Sequence, residues 1–382
     1  MDRHSLQVTG FSKELKLMLA LLKNDTNSIQ SYLNGSINWY VFLKVVKQHR
    51  LYPIVYKKMT DGFEKDVPLD IMSQLKSLYQ QNTFQMMRLS AEMERLSECF
   101  QEQGIRCLFL KGPALGYLLY ENLSMRTSND LDLLISIKDF EKANNLLLQQ
   151  GYKRDSYMRS VLGDWKWKNH HVEYIHPESF HKIELHWKLH PGGAKEPSFD
   201  QLWKRKQTSF LTSKPVYLLG TEDLFVFLIV HGARHGWFRL RWLVDLVDLS
   251  NQVTDWRLIK KMQRRYRVSH LAAQVDLLAD GLLGKRLPDS VHVTKGAKQL
   301  AEEALFLILN EVDIHDDQLS RRFAKRADEY YQAIMTRRQK TFQMVGALYP
   351  CIEDAKTLPL PKSFHFLYFP LRPFLWLWRR LV

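Results

Sequence analysis

Cysteine is scarce in this chain: its 382 residues hold three, Cys99, Cys107 and Cys351. Their spacing suits neither a disulfide framework nor a zinc clip, so a reducing compartment, read as the cytoplasm, is the expectation. Glycine and proline are also few, 17 and 13 residues, which excludes collagen-like and low-complexity chains. No apolar run reaches the roughly 18 residues that a membrane span needs. Leu224–Val230 is too short, and Phe364–Trp378 is broken by Pro370, Arg372 and Pro373. Near the start, Lys13, Glu14 and Lys16 interrupt the apolar stretch and no small-residue cleavage site follows, so no targeting signal is expected. Apolar and aromatic residues are plentiful, at 45% and 12%, enough to fill a sizeable core. Positive charge is in excess, with 55 Lys and Arg against 41 Asp and Glu, a net +14. That excess invites an anionic partner, whether nucleic acid, a phosphorylated substrate or a membrane face.

At roughly 150 residues per domain, the length allows two or three domains, or one core with large helical flanks. Trp39–His49 and Met72–Cys99 repeat apolar residues every three or four positions, the period of a helix with one buried face. Asn34-Gly35 and Pro53 punctuate this first region. The pattern changes at Gly104. Ile105–Leu110 reads as a buried strand ended by Lys111-Gly112-Pro113, and Ala114–Glu121 as a helix with proline near its first turn. Leu131–Ile137 reads as a second strand, and Asp139–Gln150 as a helix stopped by Gly151. Trp167–Ile175 and Lys182–Leu189 form a hairpin pattern around the turn residues His176-Pro177-Glu178-Ser179. Helical spacing returns at Thr221, where Glu222 and Asp223 add an N-terminal signature, and runs to a proline-rich tail after Leu358. The expected class is α+β: a helical region over 1–103, a mixed-sheet core over 104–220, and a helical region with an aromatic and basic tail over 221–382.

Chemistry concentrates in the middle. Side chains two apart on a strand share a face, so Asp130 and Asp132 project together. Two such carboxylates repel when ionised, and a hard divalent cation, Mg²⁺ or Mn²⁺, relieves the repulsion. Glu184, within Ile183-Glu184-Leu185-His186-Trp187, has the spacing of a third acid if its strand lies beside that of Asp130. Three converging carboxylates suffice to hold two metal ions for phosphoryl or nucleotidyl transfer. His186 shares the face of Glu184, either as a hydrogen-bonded structural histidine or as a group that orients Glu184 or touches substrate. His231 and His235 lie four apart, hence on one helix face. A zinc site there lacks the glutamate of a metalloprotease motif and a third ligand, so the pair reads better as part of a helix lining a cleft. Arg241 and Asp245 have the spacing of a helical ion pair.

The order Lys111-Gly112, Arg126, Asp130, Asp132, then Glu184-Leu185-His186-Trp187 resembles that of nucleotidyltransferase family proteins in the DNA polymerase β superfamily, within it a bacterial subfamily. His231-Gly232-Ala233-Arg234-His235, Leu240-Arg241-Trp242 with Asp245, and Trp39…His49…Pro53 extend the similarity over most of the chain. The resemblance implies a nucleotidyltransferase-type sheet and Mg²⁺- or Mn²⁺-dependent transfer of a nucleoside monophosphate from an NTP such as ATP, with pyrophosphate released. It implies metal coordination by Asp130, Asp132 and Glu184, and triphosphate neutralisation by Lys111 and Arg126. Gly112 would be the turn residue that lets phosphate approach the backbone. Arg126 has a second reading, a salt bridge that orients Asp130. His186, His231 and His235 would stand near nucleotide or acceptor. One feature departs from the superfamily, whose turn carries Gly-Ser or Gly-Gly: Lys111 meets phosphate only as a point charge, and Pro113 offers no N–H.

The expected acceptor is a small molecule, a sugar phosphate or a peptide. The alternatives are an RNA- or tRNA-directed transferase and a non-catalytic nucleotide-binding protein. Basic clusters at Arg257–Arg267 and at Arg321, Arg322, Lys325, Arg326, Arg337, Arg338 and Lys340 read as solvated helix faces that would also attract RNA. The tail Phe364–Arg380 reads as packing onto its own helical region, with contact to a membrane interface as the other reading.

Overall fold

Four short helices, Lys13–Lys23, Thr26–Leu33, Trp39–Gln48 and Tyr52–Gly62, precede a long one, α1 (Leu69–Glu102), in the computed structural model. The structure describes residues 6, 10–155, 161–288, 294–316 and 318–381. Side chains that accept backbone N–H groups start the first three: Ser12 takes that of Leu15, Asp25 that of Ser28, and Asn38 that of Val41. α1 buries Leu75, Asn82, Met86, Leu89, Met93, Leu96 and Phe100, a spine at helical spacing. Its 34 residues give a rod about 51 Å long.

The strands are β1 (Cys107–Phe109), β2 (Asp130–Ile135), β3 (Lys153–Arg154), β4 (His171–Ile175), β5 (Lys182–His186), β6 (Gln207–Ser209) and β7 (Val216–Leu218). They form one mixed sheet in the order β3-β4-β5-β2-β1-β7-β6. β2 runs parallel to β5 and antiparallel to β1, and β4 is antiparallel to β5. The helices α2 (Gly112–Tyr120) and α3 (Phe140–Gln149) connect strands. After the sheet come α4 (Thr221–Arg234), α5 (Arg241–Ser250) and several more, including α6 (Arg337–Leu348) and α7 (Tyr368–Leu381).

Alternation along β2 divides the core in two. Leu131, Leu133 and Ile135 join Met86, Leu89, Met93 and Phe100 of α1 and Leu147 of α3. Leu134 faces the other way, into a cluster with Phe225 and Ile229 of α4. Asp130 and Asp132 therefore lie on the face turned toward the C-terminal helices.

Several details differ from the sequence reading. Trp167 and Lys168 belong to a short helix, Trp165–Lys168, and the strand begins at His171. Trp165 is held there by ring contacts with Phe140 and Trp187, 4.6 and 5.0 Å between centroids. β3, β6 and β7 escape sequence detection because two or three residues show no period. In the tail, α7 continues through Pro373. It packs through Tyr368 and Leu375, yet leaves Phe374, Trp378 and Leu381 exposed.

Candidate active site

Parallel pairing of β2 with β5 sets Asp132 directly beside Glu184 and Leu134 beside His186. β4 then brings Glu173 beside Glu184 and His171 beside His186. One sheet face thus carries acids and imidazoles in adjacent rows. α4 and α5 form the opposite wall of a cleft of about 350 Å³, with Arg234, His235 and Arg241 in its lining.

Lys111, at the end of β1, turns its ammonium onto Asp132, with Nζ 3.0 Å from Oδ1. His186 Nε2 lies 3.5 Å from Asp132 and 3.4 Å from Glu184. Burial opposes charge on both cations, but Asp132 and Glu184 hold Lys111 and His186 above their ordinary values, Asp130 adding to the hold on Lys111. Burial also opposes ionisation of Glu184, yet its contact with His186 and the nearby Lys111 bring the carboxyl down to about 2. Asp130 stands at the cleft edge, its Oδ1 accepting from the Ser128 hydroxyl at 3.3 Å.

Asp132, Glu184 and His186 each present one donor atom within 4.8 Å of the others. Asp132 is 1% exposed. Neither of its oxygens, nor either ring nitrogen of His186, has a well-directed hydrogen bond. Carboxylate oxygens buried in that state suit a divalent cation, which His186 joins on giving up its ring proton, so the residues fit one. Asp130 of the expected metal set lies outside this compact trio, which His186 completes; His171 and Glu173 form a further such group with Glu184.

The remaining expected residues are placed as follows. Gly112 has φ +74°, the left-handed region that its turn requires, and does not line the cleft. Arg126 is 1% exposed and faces neither the cleft nor Asp130. Its Nε lies 3.1 Å from Asp245 and its terminal nitrogen donates to the Gly112 carbonyl at 3.3 Å. Asp245 is therefore the partner of Arg126, not of Arg241, whose guanidinium donates to the Thr127 carbonyl. His231 and His235 do lie together, rings 4.6 Å apart, on the helical wall. Burial holds both well below the usual histidine range, hence neutral. Neither belongs to a group of three metal-ligating side chains among the described residues.

Sequence reasoning missed the cations of this wall. Arg50, Arg239 and Arg241 line the Asp130 end of the cleft. Burial, then the neighbouring Arg50, lowers Arg239 to about 10; burial, then Arg126, lowers Arg241 to about 9. Such crowding of incompletely neutralised guanidinium groups marks a place for a polyanion. Arg50 and Arg239 bring no motif of their own. Glu173 and His171 were detectable by carrying the two-residue period through the first hairpin strand.

The family model described as "Uncharacterised nucleotidyltransferase" matches residues 35–284. No curated protein matches the chain. A solved structure, described as an antigenic nucleotidyltransferase-like protein from Paracoccidioides brasiliensis, is similar over 54% of this chain and 97% of its own. Its identity is 14% and its TM-score 0.34, too slight a likeness to carry an argument.

Proposed function

From the premise that this chain belongs to the uncharacterised nucleotidyltransferase family, we propose that it transfers a nucleoside monophosphate from an NTP to an acceptor oxygen. The observation that carries this reading is the placement of Asp132 beside Glu184 on one sheet face, opposite a wall of arginines. Asp132 and Glu184, with His186 or Asp130, would hold a divalent cation such as Mg²⁺. When bound, such an ion polarises the phosphate oxygens and lowers the pKa of an acceptor hydroxyl. Arg50, Arg239 and Arg241 take the triphosphate at the Asp130 end. Lys111 neutralises the carboxylates until substrate arrives, then meets phosphate as a point charge. The acceptor oxygen, its proton passed to water, forms the new bond to the α-phosphorus. The bond from that phosphorus to its β-bridging oxygen breaks, and its electron pair leaves with pyrophosphate. All seven strands among the described residues fall between Cys107 and Leu218, which supports reading 104–220 as the core and both flanks as helical regions.

The test is incubation of the purified chain with each NTP, Mg²⁺ and cell extract, followed by pyrophosphate assay and mass spectrometry. Asp132→Asn is expected to lower turnover at least about a thousandfold, since a metal contact worth several kcal/mol converts at about 1.36 kcal/mol per decade. Unchanged circular dichroism with turnover equal to wild type sinks the assignment.

A further inference from the structure

A second chamber, about 370 Å³ in volume, adjoins the carboxylate cleft. Leu189, Phe227 and Arg234 line both spaces. Its walls are mainly apolar: Val226 and Val230 of α4, then Leu271, Tyr331, Ile334 and Phe342. At the junction, the Arg234 Nε is buried without a hydrogen-bond partner. No carboxylate comes within ion-pair distance of Arg234 among the described residues. Glu196, an acid in the chamber lining, is engaged by the backbone N–H groups of Leu189 and His190, at 3.2 and 3.0 Å. The chamber therefore pairs a mainly apolar interior with an arginine at its mouth that has no carboxylate in direct contact and one orphaned N–H.

We propose that this chamber seats the nucleotidyl acceptor, and that the acceptor is an organic phosphate with an apolar body. The assignment rests on the nucleotidyl-transfer reading above. The two ends of the cleft decide which substrate goes where. Arg50, Arg239 and Arg241 interact with Asp130, and triphosphate belongs at that end. Arg234 interacts first with the Tyr331 hydroxyl, then with Glu184 and Glu196, and the loop after β5 supplies Leu189 and His190 to the chamber. A phosphate head held by Arg234 then points its oxygen at the carboxylate face while its body fills the chamber. Such an oxygen is already ionised near pH 7, the second pKa being about 6, so no general base is required. Its attack on the α-phosphorus forms a phosphoanhydride as the bond to the β-bridging oxygen breaks and pyrophosphate departs. A polynucleotide, charged at every phosphate, does not suit a mainly apolar space of about 370 Å³.

Isothermal titration of the full chain with 2-naphthyl phosphate tests the assignment, with inorganic phosphate and ATP–Mg²⁺ as companions. The naphthyl ester is expected to bind at least about tenfold more tightly than inorganic phosphate, because an apolar body adds buried area. Met335→Trp, which fills the chamber from its wall, is expected to remove about tenfold of that affinity and to leave ATP–Mg²⁺ binding unchanged. Arg234→Met should weaken the ester as well, and circular dichroism checks that both variants are folded. Equal affinity for ester and phosphate, or an ester affinity untouched by Met335→Trp, overturns the proposal. Loss of ATP–Mg²⁺ affinity in Met335→Trp assigns the chamber to the nucleoside and overturns it too. Failure of ATP–Mg²⁺ to bind the wild type strikes instead at the nucleotidyl-transfer reading, whatever the ester does.

A different observation concerns α7, whose polarity is reversed. Arg372 and Arg379 point inward onto the fully buried Asp354, at 2.6 and 2.8 Å. Phe374, Leu377, Trp378 and Leu381 point outward, Phe374 at 71% exposure. The Arg372 Nε also donates to the Ala347 carbonyl, which ties α7 to α6. There Met344 and Leu348 are exposed, and Arg337, Arg338 and Lys340 stand exposed at the start of the same helix. We infer that this apolar surface, edged by exposed cations, rests on an anionic bilayer. Phosphatidylcholine vesicles with and without phosphatidylglycerol, sedimented with the full chain, test it. Binding is expected to require the anionic lipid and to fall at least about tenfold in Phe374→Ser/Trp378→Ser, about 1.4 kcal/mol or more of lost apolar burial. No binding overturns the inference, as does a dimer in sedimentation velocity that this double variant dissociates.

Discussion

Arg126 and Asp245 meet at 3.1 Å with side chains 1% and 0% exposed, joining the turn before β2 to α5. The carbonyl of Gly112 is the second partner of the same guanidinium, so one buried cation fixes the loop, the helix and the start of the Asp-x-Asp strand together. Asp245→Leu leaves Arg126 buried and unpaired. It should lower the urea unfolding free energy by about 3–5 kcal/mol. The double variant Arg126→Met/Asp245→Leu removes both charges and should recover most of that loss. A double variant no more stable than Asp245→Leu would mean that the pair itself holds the site.

The arginine wall yields a separate expectation. Arg239 forms cation–π contacts with Phe238 and Trp242, 4.8 and 5.7 Å from their ring centroids, which fix it on the cleft. Arg239→Ala removes a charge-assisted contact to triphosphate worth about 1.5–3 kcal/mol. Titration should show ATP affinity reduced about tenfold or more, with a shallower dependence on salt. AMP should lose far less. An equal loss for AMP and ATP would place Arg239 elsewhere than on the terminal phosphates.

These residues separate what local pattern reveals from what closure of the chain creates. Asp130, Asp132 and Glu184 stand out because alternation within a strand is visible in sequence. The step that joins them is the parallel register of β2 with β5, which sets Asp132 against Glu184. The α+β class follows from runs of helical and strand period, while β6 and β7 are too short to show any. Arg126 could be paired by nearness only with Asp130; its actual partner lies 119 positions away. Arg50 arrives in the cleft from the N-terminal helices, and Arg239 from the link between α4 and α5. No period connects them, since they meet only in the folded chain.

Gly232 illustrates a motif residue set by packing. It lies in α4, where alanine ordinarily gains up to about 1 kcal/mol over glycine. A Cβ here would lie 2.2 Å from the Trp237 ring, which is fully buried and bonded to Gln274. Overpacking of that kind costs about 1–3 kcal/mol, so the steric effect outweighs the gain in propensity. Gly232→Ala should therefore lower the urea midpoint. A rise would show that the indole moves aside freely.

His49 gives the pH dependence of the same assembly. It closes the helix Trp39–Gln48, is 2% exposed, and its Nδ1 accepts the Leu240 N–H at 3.3 Å. Burial, only partly opposed by a bond to the Phe238 backbone, lowers it from 6.5 to about 4. The unfolded chain thus takes up a proton at a higher pH than the folded one. Stability is fully present above pH 6.5 and is lost as pH falls toward 4. At about 1.36 kcal/mol per unit, the interval carries about 3 kcal/mol. His49→Asn keeps an acceptor for the Leu240 N–H without the titration, so urea unfolding at pH 7 and 4.5 should show a smaller loss in the variant. Equal losses would assign the acid sensitivity to other groups. Because His49 precedes Arg50 and bonds Leu240 between Arg239 and Arg241, ATP affinity should fall over the same interval in the wild type and less steeply in His49→Asn.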